Sequence, residues 1–168
     1  SRFGSKTIIA QSWPLFLPLE ERDAAQILSD AFARDGIEVR LNTRAVNVRV
    51  EGGQKLVDLV SDDHKSTVAI DAILTGTGRV PNVDGLNLEA AGVDYDNTDG
   101  IRVDDFLQTT NPRIYAAGDA CLEHKFTHTA DASARIVIRN ALFLGRQRLS
   151  ALTIPWCTYT DPEIAHVG

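Results

Sequence analysis

The chain has 168 residues, 43% hydrophobic and 24% charged, with a formal net charge of -6; these proportions belong to a globular protein with an ordinary core and argue against disorder. The acidic balance excludes a basic nucleic-acid footprint, no apolar run approaches the ~20 residues needed to cross a bilayer, and no charged-then-apolar leader opens the chain. Two cysteines 36 positions apart exclude a disulfide-stapled secreted scaffold and point to a reducing cytoplasm.

The sequence starts at Ser1, contains no Met, and closes on Val167-Gly168 straight after a motif-like stretch. It therefore reads as a segment of a longer protein. Arg2-Phe3-Gly4-Ser5 reads as a helix end with its glycine stop. Lys6 to Ala10 (KTIIA) is a β-branched run, a buried strand. After a loop with Trp13, Pro14 and Pro18, a helix is predicted over Glu20 to Asp35. Ala24, Ile27, Leu28, Ala31 and Phe32 share one face of it, and Glu20, Glu21 and Asp23 fall in its first turn. Gly36 stops it, and Ile37 to Val39 returns as a strand. Strand, helix and strand make a βαβ unit and imply a parallel sheet.

Three extended segments follow. Ala45 to Val50 alternates, with Val46, Val48 and Val50 on one side. Gly52-Gly53 turns the chain into Lys55 to Val60, and Asp62-Asp63-His64 turns it again into Thr67 to Leu74. A short apolar helix is predicted around Leu86 to Ala91, and short strands at Ile101 to Val103 and Arg113 to Ala116. A helix from Ala130 to Leu144 carries Ala134, Val137, Ile138, Ala141 and Leu142 and stops at Gly145. Thr153 to Thr160 is extended again.

Two stretches carry chemistry. In Thr75-Gly76-Thr77-Gly78-Arg79-Val80-Pro81-Asn82, a strand runs into a turn whose glycines allow close ligand approach; alone, such a turn is equally often a tight loop. In Thr110 to Ala120 (TNPRIYAAGDA), a short apolar strand ends in Gly118-Asp119. That places a carboxylate at the carboxyl end of a strand, where it can accept from ribose or ribityl hydroxyls. The competing reading is an Asp that caps the next element.

These two strings, in this order, resemble the pyridine nucleotide-disulfide oxidoreductase family, which includes dihydrolipoamide dehydrogenase, glutathione reductase and mercuric reductase. Pro155 to Gly168 (PWCTYTDPEIAHVG) resembles the opening of that family's interface domain, and the wording is nearest the mercuric reductase-like branch. The resemblance covers essentially the whole chain. It implies an α/β fold: a Rossmann-like parallel sheet with an inserted antiparallel β-meander, plus the C-terminal part of an FAD-binding domain. Residues 1–78 would belong to the NAD(P)-binding domain, 79–150 to the FAD-binding domain and 151–168 to the interface domain.

The resemblance also implies FAD and NAD(P) as cofactors. Asp119 would bond the ribityl chain and Gly118 would permit close packing of the cofactor. Thr127, His128, Thr129 and Ala130 would lie under the flavin at a helix N-terminus, suited to the charge of a reduced flavin. Gly76, Gly78 and Arg79 would contribute at the junction of the nicotinamide and flavin domains. Gln11, followed by Ser12, stands where NAD-using members carry an acid for the ribose, so neither NAD nor NADP is selected.

Departures matter as much. Both GxGxxG fingerprints, the redox cysteine pair and the distal His-Glu pair of the family fall outside this sequence, so no catalytic residue is assigned. The four histidines show no metal-ligand spacing with one another or with the cysteines. Cys121 reads as buried near the flavin and Cys157 as inert core. Asp161-Pro162-Glu163 reads as a helix start with Pro at the first position, Asp94, Asp96 and Asp99 as a solvated turn, and Trp13 as a packing residue.

The expected function is part of an FAD-dependent oxidoreductase. It would move electrons from NAD(P)H through flavin to a disulfide or a metal ion such as Hg(II), as a cytoplasmic homodimer without nucleic-acid or membrane partners. The alternative is a non-catalytic fragment that binds a nucleotide or a partner. A third expectation is an open sheet edge and exposed apolar surface that favour self-association.

Overall fold

The structure is a computed structural model and describes residues 1–62 and 64–167. The chain clusters into two compact units, one over Ser1–Thr75 with Cys157–His166, the other over Gly76–Trp156 with the last residues. No helix among the described residues is long and apolar enough to cross a membrane.

The first unit opens in a turn, Gly4 at φ +89° donating its N–H to the Ser1 carbonyl. Strand β1 (Ile8–Ala10) and strand β2 (Glu38–Arg40) pair in parallel, Ile9 opposite Val39, around helix α1 (Arg22–Arg34). The βαβ unit expected from sequence is present. Helix α1 starts later than predicted because the Arg22 guanidinium donates to the carbonyls of Phe16, Leu17 and Glu20, holding that segment as a loop. Glu20 is consequently buried ahead of the helix, leaving Asp23 as the acid of the first turn. Leu28, Ala31 and Ile164 form the core, with Phe16, Leu17, Ala24 and Phe32 around it. Ile27, expected on the core face, is exposed; it lies about 100° round the helix from Leu28, and Ala25 is buried in its place. Trp13, expected to pack, is 63% exposed.

Strands β3 (Thr43–Glu51), β4 (Gln54–Ser61) and β5 (His64–Ile70) form the antiparallel meander, β4 central. Gly52 and Gly53, both at positive φ, make the tight turn between the first two. The pairing slips between Ala45 and Asn47, so Val46 is the extra residue of a bulge. Val57 and Leu59 of β4 are buried, while Val46, Val48 and Val50 are exposed. In the second turn Asp62 has φ +50° and His64 already belongs to β5; Asp63 lies outside the described residues. Strand β5 stops at Ile70, so the strand predicted to Leu74 ends early: residues 71–74 are irregular and Leu74 is exposed. An extended segment becomes a strand only beside a hydrogen-bonding neighbour, and 71–74 has none among the described residues.

In the second unit, Val83, Leu88 and Val93 make one core cluster, joined by Tyr95, Ile101 and Ile114. The helix predicted over 86–91 is a run of turns, broken by positive φ at Asn87 and flanked by positive φ at Gly85 and Gly92. Strands β6 (Tyr95–Asp96) and β7 (Gly100–Ile101) form a small hairpin. The predicted strands at 101–103 and 113–116 contract to β7 and two isolated bridges, Val103 with Thr109 and Gln108 with Tyr115. Side chains take the backbone groups a longer ladder would use: Asp104 accepts from the N–H of Phe106 and Gln108, and Asn111 donates to the Ala91 carbonyl.

Helix α2 (Thr127–Leu142) begins before the predicted Ala130 and ends before Leu144. Its buried seam is Thr129, Ser133 and Ile136, against Leu107 and Leu122; of the face predicted from sequence, Val137 packs against this cluster and Ala134 is half-buried, while Ile138 and Leu142 are exposed. The partner surface includes the backbone at Gly118, which admits a serine and excludes a broad apolar stripe. Strands β8 (Pro155–Thr158) and β9 (Ile164–Val167) form a last two-stranded sheet. Asp161-Pro162-Glu163 is a turn between them with a cis Asp161–Pro162 bond, not the helix start expected. Gly168, which closes the interface-like motif, lies outside the described residues.

Candidate functional site

The Gly-Asp string folds into a tight corner in the second unit. Ala117 is extended, Gly118 turns at φ +73°, and Gly118–Ala120 form one 3-10 turn. Cys121 and Leu122 both donate N–H to the Gly118 carbonyl at 3.1 Å. The Gly118 N–H donates to Ser133 Oγ at 3.0 Å, and that hydroxyl donates to the Ala130 carbonyl at 2.8 Å. A Cβ on Gly118 would sit 3.2 Å from Ala130 Cβ. The glycine thus lays the corner directly on the first turn of α2.

Asp119 projects from this corner. Its carboxylate is exposed and makes no hydrogen bond or ion pair with the described residues. The capping reading is overturned, because Asp119 lies inside the 3-10 turn and the next helix, α2, has Phe126 at its N-cap and no side-chain cap. An exposed carboxylate with its lone pairs unengaged can accept from hydroxyl groups.

The start of α2 is equally unengaged. Phe126 at the N-cap supplies no side-chain bond, and the first turn, Thr127-His128-Thr129-Ala130, contains no acid. Its leading N–H groups have no partner within the helix. Thr129 Oγ1 is buried without a hydrogen-bond partner, in a residue only 2% exposed. Such an orphan is rare and costs about 1–3 kcal/mol. The helix dipole and the open amides suit an electron-rich ring edge, whereas the Thr129 hydroxyl faces the packed interior. His128 is differently placed: its Nε2 is 2.7 Å from the Pro155 carbonyl, and its ring stacks on Phe126 at 5.4 Å.

Arg79 joins the group by donating to the carbonyl of Lys125, just before α2. Gly78 adopts φ +105°, but a Cβ on Gly76 or Gly78 would meet nothing within 4 Å, so close approach within the chain does not explain these glycines. Gln11 belongs to the other unit. Its amide donates to the Leu15 carbonyl at 2.5 Å and its backbone bonds Arg40 and Thr43, so the side chain shapes its own loop. Burial pushes the Cys121 thiol up to about 11, which keeps it protonated and unreactive at neutral pH.

Sequence reasoning missed Gly100 and Ser133. A Cβ on Gly100, at φ +93°, would lie 2.2 Å from the Ala120 carbonyl oxygen and 3.1 Å from Pro81 Cβ. Gly100 therefore lets β7 close on the corner that carries Asp119. Ser133 is fully buried and ties that corner to α2. Both contacts are long-range, and the one local signal was a small residue in an otherwise ordinary turn or helix.

A parallel βαβ pair with an inserted meander, and a Gly-Asp corner set on an uncapped helix start, define a dinucleotide-binding α/β protein. The chain belongs to the pyridine nucleotide-disulphide oxidoreductase family, whose model matches residues 1–134. It is 32% identical to a dihydrolipoyl dehydrogenase of Thermus scotoductus over 169 residues, covering 99% of this chain and 36% of that protein. It is 30% identical to a mercuric reductase of Staphylococcus aureus, covering 98% of this chain and 30% of the relative. Among solved structures it superposes on the Cu(II) complex of the HOCl-induced flavoprotein disulfide reductase RclA from Escherichia coli with a TM-score of 0.88. That match has 30% identity and covers 99% of this chain and 38% of that one. The chain spans about a third of the length of these relatives. The family comprises oxidoreductases that use FAD and NAD(P)H.

Proposed function

We propose that the chain supplies one wall of the flavin site of an FAD-dependent oxidoreductase. The observation that carries this is the pairing of an unengaged, exposed Asp119 with a helix start that has no side-chain cap, whose leading N–H groups have no partner within the helix. The residues fit the cofactor: Gly118 and Asp119 would hold the ribityl chain, and residues 127–130 would meet the ring. Bound FAD would supply reversible two-electron chemistry. The chain's own groups bind and orient: the carboxylate accepts hydroxyl hydrogens, and the first-turn amides favour negative charge on the neighbouring ring. Gly76, Gly78 and Arg79 would order the approach to α2, and Gln11 would shape the loop beside the nicotinamide-nucleotide ribose.

In this reading residues 1–78 complete a NAD(P)-binding domain, 79–150 are the second segment of an FAD-binding domain, and 151–168 open a dimerising interface domain. The whole enzyme would be a cytoplasmic homodimer in redox homeostasis. It would take hydride from NAD(P)H and reduce a disulfide or a metal-ion substrate, Hg(II) by analogy with the mercuric reductases. A second reading, a binding fragment without turnover, is favoured by one observation: neither Cys121 nor Cys157 forms a redox pair.

Equilibrium dialysis of the chain against FAD and riboflavin tests the proposal. Retention of FAD is expected, weakened about tenfold by Asp119→Asn, the loss of one charge-assisted hydrogen bond. Retention of neither flavin, or equal retention by the variant, would overturn it.

A further inference from the structure

The stretch 132–160 contains four arginines and no Asp or Glu, in a chain whose net charge is -6. Two of them converge on one ring. The guanidinium carbons of Arg146 and Arg148 lie 5.9 and 5.2 Å from the centroid of Phe106. Arg146 has no carboxylate partner among the described residues, and Arg148 reaches Asp105 only at 3.3 Å.

The loop that presents them is fastened at both ends. Asn140 Nδ2 donates to the carbonyls of Phe106 at 3.1 Å and Gln147 at 2.8 Å, and its Oδ1 accepts from the Gln147 N–H at 2.9 Å. The Ser150 N–H and hydroxyl both donate to the Asp105 carboxylate at 2.8 Å, and the Leu149 N–H donates to the Asp105 carbonyl at 2.8 Å. The Ser150 N–H above all holds Asp105 below the usual carboxylate range, so this acid stays ionised and engaged with the loop.

Two like charges on one ring, with one carboxylate that pairs with Arg148 alone, leave an excess of positive charge on a fastened loop. A cation–π contact uses none of the guanidinium N–H groups, so they stay free to donate, apart from the Arg148 Nη1 that reaches Asp105. A tetrahedral dianion can accept from two such forks at once, and little ordering is lost on binding because the loop is already set. We propose that Arg146 and Arg148, in cation–π contact with Phe106, bind a phosphate group, either free or carried by a small ester. The site is independent of the flavin reading.

The test follows the arginine Nε–H resonances of the nitrogen-15-labelled chain during titration with inorganic phosphate at constant ionic strength. Saturating shifts are expected at Arg146 and Arg148, with Arg135, paired to Asp131, unmoved. Arg146→Gln should weaken binding about tenfold. Phe106→Leu, which keeps both charges and loses the aromatic ring, should weaken it roughly threefold. A second arm uses adenosine monophosphate: tighter binding than phosphate identifies an ester ligand, equal binding the free anion, and both support the site. Unsaturable shifts spread over all arginines, or undiminished affinity in Arg146→Gln, would overturn it.

Discussion

Gly118 and Gly100 are constrained twice each, by a positive φ and by what a side chain would strike. At Gly118 the obstacle is the methyl of Ala130 at 3.2 Å; at Gly100 it is the Ala120 carbonyl oxygen at 2.2 Å, a backbone atom that cannot swing aside. Gly118→Ala should therefore cost roughly 1–3 kcal/mol and Gly100→Ala at least about 3 kcal/mol in denaturant melts. Gly76→Ala, with open space around it, should stay within about 0.5 kcal/mol. Equal effects at all three positions would mean the corner is looser than described. Thr129 gives a sharper test of the packing. Thr129→Val keeps the shape and removes the orphan hydroxyl, so the chain should become more stable by about 1 kcal/mol. A loss of stability would show that the hydroxyl has a structural partner.

Among the elements, the meander depends on one ionised side chain. Asp58 accepts from Arg49, Thr67 and Asn47, and the Arg49 bond is the largest cause holding it well below the usual carboxylate range. A depressed folded-state pKa contributes stability that is present above the unfolded value of about 3.9 and is lost as pH falls toward the folded one. The melting-temperature gap between the chain and Asp58→Asn should thus be full at pH 7 and shrink below about pH 4; a gap independent of pH would contradict this. The meander itself was legible because Gly52-Gly53 and the Val46, Val48, Val50 alternation are local signals of turn and pleat. Helix α2 was legible as a helix, but its buried face only in part. Periodicity selects the widest apolar stripe, Ile138 and Leu142 included, whereas the backbone at Gly118 accepts only small residues such as Ser133. The strand expected to run to Leu74 failed for a related reason, since sequence shows that a segment can be extended but not which neighbour will pair with it.

At the scale of the whole molecule, TGTGRVPN and IYAAGD carried the family resemblance, because glycines and an acid at fixed offsets leave a mark in one dimension. What they could not carry was the support behind the site: Gly100 under Ala120 and Ser133 behind Gly118 both join residues distant in sequence. On the wall formed by helix α2 and the Gly118–Asp119 corner, the Asp119 carboxylate and the leading amides of α2 are left open, and FAD would engage them. A ligand that binds only the folded state stabilises it by about 2.7 kcal/mol at one hundred times its dissociation constant, roughly 5–10 °C for a chain of this size. The most direct measurement is the thermal melt of the chain with and without saturating FAD. A rise of that order, reduced in Asp119→Asn, is the expected result; a melt unchanged by FAD would contradict the account.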